Sequence, residues 1–162
     1  MRKRLLVISL LCAAPLCTAN SGTVAATAQD EARLKEIKTT VWPAFYRSQD
    51  VDGLGRFLAP TFINISPDGN ASTREAELKG VAENTWDPVN FRYVVKRIDW
   101  HGANLVTVTG RGISERTGDN GKPCLHSYTS SNLLKRAPDT QYGWQALSSH
   151  VSGIRCDVLP AG

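Results

Sequence analysis

Residues that bind metals are scarce in this sequence, which has three histidines and four cysteines among its 162 residues. The histidines, at positions 101, 126 and 150, are scattered and show no spacing typical of a zinc or other transition-metal site. We therefore predict no metal ion and no cofactor. The chain also lacks internal repeats and low-complexity tracts, which favours a single ordinary domain over a repeat protein or a disordered segment.

A long hydrophobic run is also lacking, because the apolar stretch over residues 5–16 is too short to span a bilayer. It follows the basic residues 2–4, which is typical of a signal peptide. Small residues fit cleavage after Ala19, Ala26 or Ala28. We therefore expect residues 1–28 to be a signal peptide, 29–157 a single domain and 158–162 a tail. The protein should be exported, periplasmic or secreted, with no membrane attachment after cleavage.

Without the predicted signal peptide, called here the leader, the chain has almost no excess of basic residues. The whole chain has 19 Lys and Arg against 15 Asp and Glu, and the leader carries three of the basic residues and none of the acidic ones. The remaining net charge is therefore 16 minus 15, or +1. The high isoelectric point comes from the leader, so we predict no nucleic-acid partner.

Two cysteines remain after the leader, and one hairpin would bring them together. Residues 126–136 and 144–154 are rich in strand-forming residues and flank a turn at 137–143. If the hairpin is centred near Thr140, paired positions sum to about 280, so Cys124 lies opposite Cys156. An exported chain with two such cysteines favours a disulfide between them.

Helical periodicity comes first in the chain and strand patterns follow. A helix from Asp30 to about Ser48 is interrupted near Pro43, and Asp50 caps a second, weaker helix ending near Leu58. Ser72 and Glu75 form a capping box that opens a third helix ending near Glu83. Strands are expected at 62–66, 91–100, 105–116, 124–136 and 142–154. This order predicts an α+β domain, with about three helices packed on a curved antiparallel sheet and a cavity between them.

Several strings in this order resemble the nuclear transport factor 2-like superfamily. They are FINISPDG at 62–69, TREAEL at 73–78, VTVTGR at 106–111, GWQAL at 143–147 and SHVS at 149–152. The branch that they resemble most is domain of unknown function 4440, a relative of the SnoaL-like cyclases. The resemblance implies a cone-shaped α+β fold with a pocket, commonly dimeric through the outer sheet face. It does not fix a function, because similar folds serve as isomerases, dehydratases, cyclases, epoxide hydrolases or association domains.

The predicted hairpin register places a polar row on one sheet face. His126, Tyr128 and Ser130 lie there with Ser148 and His150, and His150 stands opposite Ser130. If this face lines the cavity, His150 is a candidate general acid or base and Tyr128 a candidate hydrogen-bond donor to a carbonyl or enolate oxygen. The alternative is a structural histidine without a catalytic role.

Aromatic and charged residues complete the predicted pocket. Trp42, Tyr46, Phe62 and Trp86 are assigned to core or pocket lining, and Arg111 binds a carboxylate if it points inward but is a surface residue if it points outward. No acid clearly reaches the pocket. Asn64 stands where a carboxylate base would be useful, Asp50 and Asp52 are better placed to cap a helix, and Asp99 lies beside a turn.

Three functions therefore stay open. The first is an exported domain that binds a small, partly apolar molecule in the cone. The second is a cofactor-free isomerase, lyase or cyclase of the ketosteroid isomerase or SnoaL type, which uses His150 and Tyr128. The third is a non-catalytic dimerisation module, and a homodimer is expected from the resemblance.

Overall fold

The computed structural model describes residues 27–158, so the predicted signal peptide lies almost wholly outside the described residues. Within them, no helix is long and apolar enough to cross a membrane. The helices are α1 (Ala28–Glu36), α2 (Trp42–Arg47), α3 (Val51–Phe57) and α4 (Arg74–Glu83). The strands are β1 (Leu58–Ile65), β2 (Ala71–Thr73), β3 (Val89–Trp100), β4 (Leu105–Thr117), β5 (Pro123–Ala137) and β6 (Gly143–Val158).

The first helical segment is interrupted as predicted, by a π-helical turn over Ile37–Val41. The Trp42 amide donates to the Ile37 carbonyl, five residues earlier, and Pro43 then occupies the first turn of α2. Proline is tolerated there because the first amides of a helix have no partner within it. At the other end, Thr27 and Asp30 form a capping box that begins α1. The wide turn leaves Leu34, Ile37 and Lys38 facing inward with Trp42.

All six strands form one sheet, in the order β2-β1-β6-β5-β4-β3. Strands β3 to β6 make the predicted antiparallel meander, but β1 pairs with β6 in parallel, so the sheet is mixed. A parallel pair needs a long connection, and here β2, α4 and the meander lie between the two strands in sequence. The helix α4 begins one residue later than predicted, since Thr73 and not Ser72 accepts the capping hydrogen bond, from the Ala76 amide.

The helices pack against one face of this sheet, called here the inner face. The core joins Leu34 and Ile37 of the first segment to Leu54 and Phe57 of α3 and to Trp144 of β6, all of which are buried. Trp42 and Phe57 meet edge to face with ring centroids 5.0 Å apart. Arg136 ties α1 to the sheet through two hydrogen bonds to Asp30, of 2.7 and 3.0 Å.

The hairpin of β5 and β6 has the predicted register only near its turn. Arg136 pairs with Trp144, but the register shifts between Leu133 and Leu134, and again between Ser127 and Thr129. At the open end His126 therefore lies opposite Cys156. The predicted disulfide between Cys124 and Cys156 is present, with the two Cα atoms 5.3 Å apart, and it joins the strands diagonally instead of directly across.

Candidate functional site

A cavity of about 260 Å³ lies between the inner sheet face and the helices. Its volume is just below the range of ~300–1,000 Å³ typical of small-molecule sites, which favours a compact ligand. Aromatic rings form much of the wall, and five polar side chains reach it. The lining residues are Lys38, Trp42, Pro43, Tyr46, Asn64, Glu77, Trp86, Phe91, Tyr93, Tyr128, Ser130, Ser149 and Val151.

Lys38 places an amino group in this cavity from the π-helical turn. The residue is 7% exposed, and its Nζ atom lies 4.1 Å from the ring centroid of Trp42 and 4.5 Å from that of Tyr93. Among the described residues, no carboxylate oxygen lies within 4.0 Å of this atom. Burial lowers the pKa of Lys38 from 10.5 to about 7, because the ammonium loses its water and the rings replace it only in part.

Glu77 brings a carboxylate to the cavity from α4. Its two oxygens accept hydrogen bonds from the Tyr46 hydroxyl and, at 3.1 Å, from Asn64 Nδ2. Burial together with the Glu77 charge raises the pKa of Tyr46 well above 10.0, so the phenol stays protonated and keeps donating. The acid that the sequence did not reveal is therefore present, and Asn64 helps to hold it.

A second polar group lies on β3 and β5. The Tyr93 hydroxyl is 2.7 Å from Ser130 Oγ, and Ser130 donates to Asn132 Oδ1 at 3.1 Å. Because the single hydroxyl proton of Ser130 goes to Asn132, Tyr93 is the donor to Ser130. Burial raises the pKa of Tyr93 to about 12, although the bond to Ser130 acts in the opposite direction. This group is satisfied internally and shapes the wall.

Tyr128 lies flat on the sheet and offers a hydroxyl to the cavity. Its ring covers Gly112 of the neighbouring strand, where a Cβ atom would overlap the ring, so only glycine allows this approach. Among the described residues, no protein group hydrogen-bonds to the Tyr128 hydroxyl. Burial raises its pKa, against the effect of the Arg116 charge, so the hydroxyl is a donor available to a ligand.

Partly exposed aromatic rings lie on the solvent side of the cavity. Trp86 packs edge to face against Tyr46 and Phe91, with centroids 5.9 and 4.8 Å away. The Arg47 guanidinium lies over both Trp86 and Phe91, at 5.5 and 5.4 Å. These rings give the entrance an apolar surface that suits the apolar part of a ligand.

Five of the residues expected in the pocket line this cavity: Trp42, Tyr46, Trp86, Tyr128 and Ser130. That any of them binds a ligand stays a prediction. Phe62 is 2% exposed and belongs to the core beside Trp42 instead. His126 is on the inner face of β5 but outside the cavity lining, with its ring 6.2 Å from that of Tyr128. Burial, aided by the Arg116 charge, lowers the pKa of His126.

His150, Ser148 and Arg111 do not lie in the cavity: the predicted register of His150 and Ser148 is wrong, and Arg111 takes the outward of its two alternatives. The register shift between Leu133 and Leu134 reverses which face of β6 each later residue occupies. His150 is consequently exposed on the outer face opposite Ser131, and Ser149 and Val151 line the cavity instead. Ser148 shares the outer face, opposite Leu133.

Arg111 also points to the outer face. It pairs with Thr129 of β5, and its guanidinium donates to Ser127 Oγ at 2.5 Å. Residues on the inner face of β4 are the alternate ones, including Val108 and Gly112. Arg111 therefore offers nothing to a ligand in the cavity.

Sequence reasoning missed Lys38, Glu77 and Tyr93. The sequence does contain a pattern that indicates a buried Lys38, because this residue lies four residues after Leu34 and four before Trp42 on the apolar face of the first helix. A lysine in that position is either paired or functional. Glu77 had a weaker signal, four residues before the buried Val81 on α4.

The described residues contain no group of three or more His, Cys, Asp or Glu side chains arranged to hold a metal ion. The cavity offers one amine, one carboxylate, hydroxyls and an amide. These groups can bind an oxygen-bearing molecule and exchange protons with it.

The architecture is that of the nuclear transport factor 2-like fold. An NTF2-like protein of unknown function in nutrient uptake from Rhodospirillum rubrum is similar, with a TM-score of 0.56, 18% identity, and 80% of this chain and 94% of the other covered. A ketosteroid isomerase-like protein from Erwinia carotovora atroseptica has a TM-score of 0.55 at 17% identity over 75% and 91% of the two chains. The association domain of C. elegans CaMKII has a TM-score of 0.60 at 16% identity over 77% and 94%.

Structural similarity at such low sequence identity shows a shared fold and not a shared activity. No family model matches the sequence, and the search of curated proteins found no match. The assignment to the domain 4440 or SnoaL-like branch stays a prediction.

Proposed function

We propose that this protein binds a small, partly apolar molecule in the cone cavity and that Lys38 contacts a carbonyl or carboxylate oxygen of the ligand. The observation that carries the proposal is an amino group buried at a cavity, with no carboxylate oxygen within 4.0 Å of it among residues 27–158. Buried cations in proteins are normally paired, so an unpaired one in a cavity favours a ligand as the missing partner. Trp86 and Phe91 would hold the apolar part, and Tyr128 would donate to a second oxygen lone pair.

Calorimetric titration with benzoate tests this proposal, with benzylammonium as a matched ligand of similar size and opposite charge. Benzoate should bind and benzylammonium should not. Lys38→Met should weaken benzoate binding by about 10-fold or more, because a hydrogen bond to a charged group contributes ~1.5–3 kcal/mol. Equal binding of both ligands, or no effect of Lys38→Met, would contradict the role of Lys38.

Neighbouring serines on opposite faces of β6 provide the control for location. Ser149 lines the cavity and Ser148 is on the outer face. Ser149→Leu should fill the cavity and abolish benzoate binding, whereas Ser148→Leu should leave binding intact. Thermal unfolding of both variants checks that they fold. Loss of binding in both folded variants would contradict the location of the binding site in the cavity.

A second candidate is a cofactor-free isomerase or lyase, and the Glu77 carboxylate on the cavity wall favours it. Glu77 would take a proton from carbon next to a carbonyl, and Tyr128 would donate to the developing enolate oxygen. His150 has no part in it, because it lies on the outer face. The enzyme should catalyse deuterium exchange into the methyl group of acetophenone. Glu77→Gln should abolish the exchange and Glu75→Gln, on the exposed side of α4, should not.

Export and dimerisation are further parts of the proposal. The disulfide between Cys124 and Cys156 is compatible with an oxidising compartment, which supports an exported protein. The association-domain neighbour supports oligomerisation of this fold, and we propose a homodimer through the outer sheet face. That face carries hydroxyl side chains such as those of Thr109, Ser131 and Ser148, so a purely structural dimer module is the weakest of the three functions. Light scattering gives the oligomeric state.

A further inference from the structure

The amino group of Lys38 is held in surroundings unlike those of an ordinary lysine. Its Nζ atom lies within 4.5 Å of two aromatic ring centroids, and the residue is 7% exposed. Among the described residues it makes no ion pair, although Glu77 lines the same cavity. The nearby aromatic faces attract the ammonium but carry no net negative charge, so they offset only part of the hydration that it loses.

Two chemical properties follow from this position. First, because burial lowers the pKa of Lys38 to about 7, a large share of the side chain is a neutral amine near neutral pH, with an electron pair free to attack. Second, the amine faces a space of about 260 Å³ that can hold an electrophile. An exposed lysine has a pKa near ~10.4 and is almost wholly protonated under the same conditions.

We propose that Lys38 captures small aldehydes or ketones in the cavity as a reversible covalent imine. The inference rests on the function proposed above and narrows its ligand class, because the carbonyl compound must first enter the same cavity. Its apolar part would lie against Trp86 and Phe91, on the solvent side of the amine.

The reaction balances without an oxidant, a reductant or a second substrate. The Lys38 nitrogen forms a bond to the carbonyl carbon as the electron pair of the C=O bond moves to oxygen. The nitrogen then gives up its two protons and the oxygen takes up two, so that the C–O bond breaks and water leaves. The product is an imine between Lys38 and the former carbonyl carbon, and the addition of one proton converts it to the iminium.

Other lining residues have the chemistry that these proton transfers need. The Tyr128 hydroxyl has no protein partner among the described residues and can donate to the carbonyl oxygen. The Glu77 carboxylate accepts two hydrogen bonds and retains lone pairs for a third. Both residues line the cavity with Lys38, which makes them the candidates for these transfers.

Reductive trapping with benzaldehyde tests the proposal on the folded protein. Borohydride reduces the iminium to a stable benzyl amine, which peptide mapping by mass spectrometry assigns to a residue. At low benzaldehyde concentration and neutral pH, we expect Lys38 to be modified at least 10-fold more than any other lysine. Lys38→Met should lose this modification, and Lys35→Met, on the exposed side of α1, should keep it.

The outcomes separate this inference from the proposed function. Benzaldehyde or benzoate binding at a single site by calorimetry, with no preference for Lys38 in the trapping, would overturn the imine and leave the binding function intact. No binding of either compound, with no preferential modification, would overturn both. Modification spread evenly over the lysines of the wild type and of Lys38→Met would show only ordinary surface reactivity and would refute the inference.

Discussion

Replacing Lys38 with Met should make the folded protein more stable at neutral pH, which is an unusual result for a large buried side chain. Methionine has nearly the length of the lysine stem and is apolar, so it can occupy the same space between Trp42 and Tyr93. It does not need the hydration that the ammonium loses on folding. The change therefore removes a buried charge and leaves the packing largely intact.

The magnitude follows from the fall of the Lys38 pKa from 10.5 to about 7. At ~1.4 kcal/mol per pKa unit, holding the lysine in the folded state costs about 5 kcal/mol below pH 7. The contacts of the ammonium with the two rings, each worth ~0.5–2 kcal/mol, are lost with it. Together the two contacts offset about 1 to 4 kcal/mol of this cost, so Lys38→Met should raise the free energy of unfolding at neutral pH by about 1 to 4 kcal/mol.

The sign of the pH dependence follows from the same pKa values. Between about 7 and 10.5 the unfolded chain binds a proton at Lys38 that the folded chain does not, so the wild type becomes more stable as the pH rises. The gain from pH 7 to pH 9 should be about 2 kcal/mol. Burial raises the pKa values of Tyr46, Tyr93 and Tyr128 above 10.0, so these phenols stay protonated in the folded protein between pH 7 and pH 9.

Urea unfolding followed by circular dichroism at several pH values measures both effects. The wild type and Lys35→Met should share the upward slope, and Lys38→Met should lose it. A wild type whose stability is flat from pH 7 to pH 9 would refute the lowered pKa. A slope that persists in Lys38→Met would show that another group produces it.

Three further changes test the framework of the cavity. Asp30→Asn should destabilise the protein by about 1 to 2 kcal/mol at neutral pH, because Arg136 holds the pKa of Asp30 at about 2. In the wild type this stabilisation should be lost as the pH falls from about 4 towards 2. Urea unfolding at several acidic pH values measures the loss. Gly112→Ala should displace the Tyr128 ring, cost about 1 to 3 kcal/mol in urea unfolding and weaken benzoate binding. Cys156→Ser should cost about 3 to 4 kcal/mol, since the disulfide closes a loop with a sequence separation of 32 residues; an unchanged urea midpoint would contradict this.

Local sequence patterns predicted the helices and strands of this fold. They failed where the assignment of a side chain to one sheet face depended on the strand register. The hairpin turn fixed the pairing of Arg136 with Trp144, as residue composition alone indicated. A single extra residue in β6 beyond Ala146 then reversed the faces, and no local signal marks such a bulge between strand-forming residues. His150 therefore lies on the outer face, although the strand itself was predicted correctly. The prediction of the disulfide was nevertheless correct, because Cys124 and Cys156 still lie close enough to bond diagonally across the shifted strands.

The cavity residues were hard to predict for a different reason. The position of Glu77 depends on how α4 packs beside β1 and α3. Long-range contacts set that orientation, including the packing of Leu78 and Val81 against the core and the hydrogen bond from Arg74 to the Gly55 carbonyl. Lys38 could have been found from its place on an apolar helix face, since a lysine there conflicts with the local pattern. Conflicts of this kind between pattern and residue are typical of functional sites.

The buried amine also provides a way to distinguish the two classes of ligand, because each requires a different protonation state of Lys38. A carboxylate pairs with the ammonium, so its affinity should be constant below about pH 7 and fall about 10-fold per pH unit above it. Carbonyl capture begins with the neutral amine, so its rate should rise about 10-fold per pH unit up to about pH 7 and then level off.

Benzoate titrations and the initial rates of benzaldehyde trapping, measured on one preparation across this range, should therefore bend at the same pH and in opposite directions. Glu77→Gln provides the control for the second ionisable side chain of the cavity, and the shared bend should remain in it. Two curves that bend at different pH values would mean that Lys38 does not govern both processes. A shared bend would identify the buried amine of Lys38 as the group through which this protein recognises its ligand.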